Sequence, residues 1–253
     1  MEWNKEYFYH YTSFESAVKI ISSRTILFSE IKKLNDINES CGPTVLYSGL
    51  SKQEEEENDK LLSKYIQISL TRDTPQRKGF DIPAMWGHYA TKGHGVCLVL
   101  DKNKLISSID DTYMYHREVV YSPIENPNDI LYDKNSRIPF VEFIQGSKDE
   151  LFFHKTPDWS YEQEYRLIAI SDEIRSIDIV NSLVAVILYY RKQEAFINSV
   201  EYNSLSKIGQ DLEFYRYTPG LMSSCNLYDV KGHSLKPKLH YDLLKTKEIS
   251  LEE

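Results

Sequence analysis

Apolar and polar positions alternate with period two in several short runs of this 253-residue chain, and those runs are its predicted strands. The clearest is Tyr65-Ile66-Gln67-Ile68-Ser69-Leu70-Thr71. Its Ile66, Ile68 and Leu70 take the core side, leaving Gln67, Ser69 and Thr71 to a polar surface or a cleft. Residues 7–11, 26–28, 96–100, 119–121, 161–170, 184–189 and 212–217 read as further strands. Helical spacing replaces alternation after Thr12, which stands three residues before Glu15 as a capping box, with Phe14, Val18 and Ile21 on the inner face. The run Glu54-Glu55-Glu56-Glu57 belongs to a surface helix, Met85-Trp86-Gly87-His88-Tyr89-Ala90 to a short one, and residues 138–153 and 192–206 are helical. Pro75, Gly79 and Pro83 punctuate a loop over 72–84, and Gly93 and Gly95 lead into strand 96–100. Strands and helices mix without a regular βαβ alternation, which predicts an α+β protein rather than a doubly wound sheet.

Composition narrows the class. With 41% hydrophobic and 27% charged residues the chain is globular in type and long enough for a substantial core. No internal repeat or low-complexity linker divides it, so residues 1–253 are expected to form one α+β domain, with 184–217 completing the sheet. No run approaches the roughly 20 apolar residues of a membrane span, and Met1-Glu2-Trp3-Asn4-Lys5 lacks a signal-peptide pattern. Cys41, Cys97 and Cys225 have no paired spacing, which argues for a reducing compartment, the cytoplasm. A net charge of −8 speaks against general nucleic-acid binding, because phosphate contacts need a basic surface. The 19 tyrosines suit half-buried strands and pocket walls.

Several chemistries leave no trace: there is no G-x-G-x-x-G after a strand, no P-loop and no G-x-S-x-G elbow. His88, His94 and Cys97 lack a further ligand at recognised spacing, so no metal is expected. His116, His154, His233 and His240 are isolated. Read as a strand, residues 161–170 turn Glu162, Glu164 and Arg166 to one face and Tyr161, Gln163 and Tyr165 to the other. Like charges two residues apart repel, so this face is either a site with a use for charge or an exposed edge where Arg166 neutralises Glu164. His10 ends a strand just before a capped helix, where polar ligands are also held. Asn35-Asp36 with Glu39 reads as turn and cap chemistry, and Trp86-Gly87-His88-Tyr89 sets three rings in four residues.

The set His10-Tyr11-Thr12-Ser13, Leu34-Asn35-Asp36 with Glu39, Met85-Trp86-Gly87-His88-Tyr89-Ala90, Gly95-Val96-Cys97, and Lys155 followed by Trp159-Ser160-Tyr161-Glu162-Gln163-Glu164-Tyr165-Arg166 resembles a widespread bacterial family. That family is known chiefly as a domain of unknown function, patterned HYT, LND, MWxHYA, K and WxYExEYR. More distantly, the same residues resemble the ADP-ribosyltransferase fold. The resemblance implies a split, mostly antiparallel sheet with flanking helices, and a catalytic set of Glu164, Glu162, His10 and Ser69. This mixture departs from the fold's usual pairings, since a first-strand His usually accompanies a middle-strand Tyr, whose place Tyr89 would take. NAD is the implied substrate, without a metal: Glu164 stabilises the cationic ribose, Glu162 orients the acceptor, His10 holds the other ribose and Ser69 positions Glu164. Thr12 belongs to the implied NAD-binding set, Tyr11, Trp86 or Tyr89 would stack on nicotinamide, and Lys155 or Arg166 would meet the pyrophosphate. The implied partners are a protein or nucleic-acid acceptor, or water, and by family analogy a partner in toxin–antitoxin or antiphage defence; no membrane is involved. A non-catalytic module binding a nucleotide or protein, and a metal-independent nuclease using His10, Glu164 and Lys155, are the alternatives.

Overall fold

The computed structural model describes residues 5–31, 45–218 and 226–235. Leu34, Asn35, Asp36, Glu39, Cys41, Cys225 and His240 lie outside them. The first strands are β1 (Tyr7–Thr12), β2 (Thr25–Leu27), β3 (Ser29–Glu30), β4 (Leu46–Ser48), β5 (Tyr65–Arg72) and β6 (Val96–Asp101). Next come β7 (Met114–Glu118), β8 (Val120–Tyr121), β9 (Leu131–Asp133), β10 (His154–Lys155) and β11 (Glu164–Ile170). The remaining strands are β12 (Ser176–Asp178), β13 (Leu183–Tyr189), β14 (Glu213–Thr218), β15 (Asn226–Asp229) and β16 (Ser234–Leu235). Ten of them form one sheet in the order β16-β15-β14-β13-β6-β1-β5-β11-β7, with β3 also on β5. Every pairing in it is antiparallel except β13 with β14. The result is a mixed fold of helices flanking a mostly antiparallel sheet.

Strand alternation divides the core in two. Phe8, Ile68, Leu70, Leu98, Tyr165, Leu167 and Val186 share one face, where the helices Phe14–Ser23 and Val200–Ile208 pack with Ala17, Ile20, Ile21 and Leu205. Tyr7, Tyr9, Tyr11, Val99, Ile187 and Tyr217 share the other, beneath Met85 and Trp86 of the helix Pro83–His88. Farther along this second face, Tyr65 and Ile168 meet Phe140, Ile144, Leu151 and Phe152 of the helices Phe140–Gly146 and Lys148–Phe152.

One edge of β5 is shared. β11 covers its opposite edge from Tyr65 to Thr71. On the shared edge β1 pairs only at Phe8↔Arg72 and Tyr9↔Thr71, and β3 only at Ser29↔Gln67 and Glu30↔Ile66. Between them, residues 68–70 have no ladder partner on either strand, while β1 continues against β6 as far as Thr12↔Val96. The sheet therefore opens at the middle of β5.

Local details differ from the sequence reading. Ser13, not Thr12, caps the first helix, its hydroxyl accepting from the Ser16 N–H at 3.1 Å; Thr12 still belongs to β1. The 138–153 segment breaks at Ser147, and 192–206 becomes Gln193–Ile197 and Val200–Ile208, recapped by Ser199. Residues 161–163 are not strand. Pro157–Glu162 is a 3₁₀ turn, Gln163 is left-handed at φ 48°, and β11 begins only at Glu164.

Candidate active site

The buried charges of the second face converge at the start of β11. Glu164 opposes Thr71 and Arg166 opposes Ser69 across the β11–β5 ladder, so their side chains stand beside those of Thr71, Ser69 and Gln67. Arg166 grips Glu164 with two bonds, Nε to Oε1 at 2.7 Å and Nη2 to Oε2 at 2.9 Å, and gives Nη1 to the Phe152 carbonyl at 2.7 Å. Lys155, from β10, places Nζ 2.8 Å from Glu162 Oε2 and 3.7 Å from Glu164 Oε2. The 3₁₀ turn thus brings Glu162 to the same ammonium as Glu164. Tyr89 donates to Glu162 Oε1 at 2.5 Å. All four charged groups are buried, an arrangement tolerated because each charge faces its opposite.

The two carboxyls are driven apart in proton affinity. Burial raises Glu162, the neighbouring Glu164 charge adds to the rise, and Lys155 and Tyr89 only partly oppose it. Burial would raise Glu164 too, but the charge and hydrogen bonds of Arg166 outweigh it, helped by Lys155 and the Ser69 hydroxyl, and hold it below the usual glutamate value. One carboxylate stays ionised while its neighbour takes a proton more readily, the division seen where two carboxyls serve different roles. Tyr89 and Tyr121 are raised well above the ordinary phenol range, first by burial and then by these glutamates.

Ser69 is the exposed residue beside this cluster. It is exposed although Ile68 and Leu70 on either side are buried, and it lies at the gap in the sheet. Gln67 Nε2 donates to Ser69 Oγ at 2.8 Å and reaches Glu164 Oε1 at 3.4 Å, tying the exposed hydroxyl to the buried carboxylate. The Glu164 N–H is received by the Tyr121 hydroxyl at 2.7 Å. Gln67 and Tyr121 were not singled out from the sequence. Gln67 was within reach, since it shares the polar side of its strand with Ser69; Tyr121 was not, since it arrives from a distant strand.

Other expected members lie elsewhere. His10 pairs with Leu98 on the face of Phe8, opposite to that of Glu164, and its Nδ1 lies 3.4 Å from the Ser69 carbonyl across the gap. Strand alternation forbids it the face of Tyr9 and Tyr11, and burial, partly offset by that carbonyl, lowers its pKa. Trp86 and Tyr11 are core side chains: Trp86 stacks on Tyr217 at 5.3 Å and donates to the Phe80 carbonyl, and Tyr11 donates to the Gly79 carbonyl. Neither has a free face for nicotinamide. Thr12 ends β1 against Val96. Arg166 and Lys155 are engaged by the glutamates, which changes the role expected of them at a pyrophosphate.

Among the described residues no group of three or more His, Cys, Asp or Glu is arranged to hold a metal, and no helix is long and apolar enough to cross a membrane. Comparisons with curated proteins and with solved structures found no match. Residues 85–167, which carry Tyr89, Lys155, Glu162, Glu164 and Arg166, match the family model described as "Protein of unknown function (DUF2971)".

Proposed function

We propose that this protein cleaves the nicotinamide–ribose bond of NAD and passes ADP-ribose to an acceptor or to water, with Glu164 as its catalytic residue. The observation that carries the reading is an ionised glutamate at the start of a strand, tied to an exposed serine on the adjacent strand where the sheet opens. Breaking this bond leaves positive charge on the ribose, as in glycoside cleavage, and a fixed carboxylate stabilises that charge. Each Glu164 oxygen receives one Arg166 bond, and its other neighbours, Gln67 Nε2 at 3.4 Å from Oε1 and Lys155 Nζ at 3.7 Å from Oε2, are the groups a ribose hydroxyl would displace, leaving the guanidinium in place. Glu162, held through Tyr89 and Lys155 and more easily protonated, suits the exchange of a proton with the incoming nucleophile. The gap along β5 supports an ADP-ribosyltransferase-like reading of the fold. Proteins of that kind include toxins and antiphage effectors, and a defence role is proposed by that analogy alone.

The double grip of Arg166 favours a second reading, in which the quartet only shapes a non-catalytic nucleotide pocket. Incubation with millimolar NAD and measurement of free nicotinamide separates the two. Cleavage predicts release by the native protein, reduced about 100-fold or more in Glu164→Gln, the scale for losing one electrostatic stabiliser. No release above a buffer blank, from protein shown to be folded, overturns it.

A further inference from the structure

The turn that leads into β6 carries charge that the carboxylate cluster does not use. Thr91, Lys92 and Gly93 are successively left-handed, at φ 47°, 56° and 88°. That backbone is unfavourable for Thr and Lys and persists only where the surroundings enforce it. The Ala90 carbonyl does so, accepting from the Gly93 N–H at 2.9 Å and the Gly95 N–H at 2.7 Å. A Cβ on Gly93 would lie 3.3 Å from Tyr189 Cδ1, so the turn rests against that ring at the end of β13. Arg191, two residues on, is fixed as well: its carbonyl accepts from Arg216 Nη1 at 3.1 Å, and its Nε donates to the Tyr189 hydroxyl at 3.3 Å. Turn and strand end enclose a cavity of about 190 Å³, whose lining includes Lys92, His94, Arg191, Tyr189, Tyr190 and Glu201. Lys92, His94 and Arg191 are exposed, and among the described residues none of the three has an acidic partner. Glu201, the one carboxylate on the wall among the described residues, already accepts from the Tyr190 hydroxyl at 2.8 Å. Basic side chains gathered round one hollow without a counter-charge, in a chain of net charge −8, favour an anion there.

We propose that Lys92, His94 and Arg191 form a binding site for a phosphate group, separate from the carboxylate cluster and independent of NAD cleavage. An arginine fork and a lysine point charge are the donors that phosphate oxygens take. At a water's liquid share of about 30 Å³ the cavity holds about six waters. That is room for a phosphate but not for a whole nucleotide, so the rest of a larger ligand stays outside. Free inorganic phosphate and a phosphate monoester share this chemistry. Each is therefore titrated calorimetrically, as sodium phosphate and as ribose 5-phosphate, in chloride buffer at constant ionic strength. At least one is expected to bind saturably below about 10 mM. Lys92→Asn/Arg191→Gln removes both fixed charges from exposed positions, with Asn suited to the left-handed backbone, and should weaken binding by about 10-fold or more. Lys60→Ala, on the surface helix Lys52–Leu62, should leave it unchanged. Glu201→Gln keeps an acceptor for Tyr190 while removing the opposing charge, and should tighten binding by about 2–5-fold.

Tighter binding of ribose 5-phosphate identifies the ligand as a monoester, and equal or tighter binding of phosphate identifies the free ion. No saturable binding of either by wild type, shown to be folded by thermal melts, overturns the site. So does a folded Lys92→Asn/Arg191→Gln variant that binds as wild type does, or an equal loss in Lys60→Ala, which would mark a general charge effect. Weaker binding by Glu201→Gln would place the anion outside this cavity and overturn the site too. Should the double variant fold poorly, Lys92→Asn alone, on the exposed turn, is expected to weaken binding several-fold, and unchanged binding there counts against the site in the same way.

Discussion

Lys155 is the group whose removal tests the charge logic of the site most directly. Its side chain is 4% exposed and its ammonium neutralises Glu162 while touching Glu164. Lys155→Met keeps the apolar stem and leaves two buried carboxylates facing the single cation of Arg166. Arg166 is committed to Glu164, so the orphan is Glu162, whose pKa burial has already raised. Breaking a buried pair costs about 3–5 kcal/mol, but the folded variant can escape by binding a proton. That escape sets a ceiling. Protonating a glutamate of ordinary pKa about 4.3 costs about 1.4 kcal/mol per pH unit above that value, hence about 3.7 kcal/mol at pH 7 and about 1 kcal/mol at pH 5. The sign follows from the direction of the shift. A carboxyl raised on folding favours the folded state below its unfolded pKa, and the advantage is lost as pH rises through the folded value. The deficit of Lys155→Met relative to wild type should therefore be about 3–4 kcal/mol at pH 7 and shrink by at least 2 kcal/mol at pH 5. Urea unfolding of both proteins at both pH values, with m compared to check two-state behaviour, measures it. An equal deficit at the two pH values would refute the reasoning and assign the loss to packing against Trp159.

Three further outcomes follow from the placements. His10→Ala removes the contact with the Ser69 carbonyl on the face away from Glu164, so melts should show a loss of about 0.5–1.5 kcal/mol while calorimetric titration gives unchanged NAD affinity; weakened affinity at unchanged stability would return His10 to the site. Gly95→Ala sets a methyl 2.3 Å from the Thr12 carbonyl oxygen and 2.7 Å from Ala90 backbone, and denaturant melts should show about 1–3 kcal/mol of destabilisation, whereas a neutral result would mean that β1 and the Ala90 turn separate easily. Glu162→Gln should lower ADP-ribose transfer to an acceptor more than release of nicotinamide to water, and equal losses in a paired assay would deny Glu162 a role at the nucleophile.

What the sequence disclosed is what short-range periodicity controls. Ile66, Ile68 and Leu70 are buried as alternation requires, and Ser69 between them is exposed. Alternation in Tyr7-Phe8-Tyr9-His10-Tyr11 sets His10 apart from the tyrosines, whereas the expected binding set had put His10 and Tyr11 together. Deciding which set faces Glu164 needed the register of β1 on β5, which no local pattern encodes. The gap at residues 68–70 depends on β3 meeting β5 from 36 or more residues away, and is equally non-local. The strand read through 161–163 failed for a different reason. Glu162-Gln163-Glu164 alternates well enough, but Pro157 starts a 3₁₀ turn and Gln163 reverses the chain in a conformation that its side chain does not announce. Trp86 and His88 show the limit of reading rings from composition: two residues apart on one short helix, one is core and the other is rim.

Glu164 and Arg166 stand beside Ser69 across the β11–β5 ladder, and the other edge of β5 is unpaired at residues 68–70, a coincidence that favours a role for the carboxylates beyond ion pairing. Buried pairs such as Glu164–Arg166 are weak sources of stability, because removing both charges from water costs about what their attraction returns, and apolar replacements of similar volume are often as stable or more so. β11 itself carries the comparison: two positions beyond Arg166 on the same face, Ile168 packs against the Phe152 cluster with no polar partner to satisfy. An apolar residue is evidently accommodated there, yet the chain places four buried charges just where Ser69 admits solvent. Had the charges served packing alone, the closed end of the face beneath the Phe140–Gly146 helix would have suited them no worse than the open one. Their position beside the exposed Ser69 favours the proposed ligand site, since a fixed carboxylate stabilises developing positive charge only where a substrate can reach it.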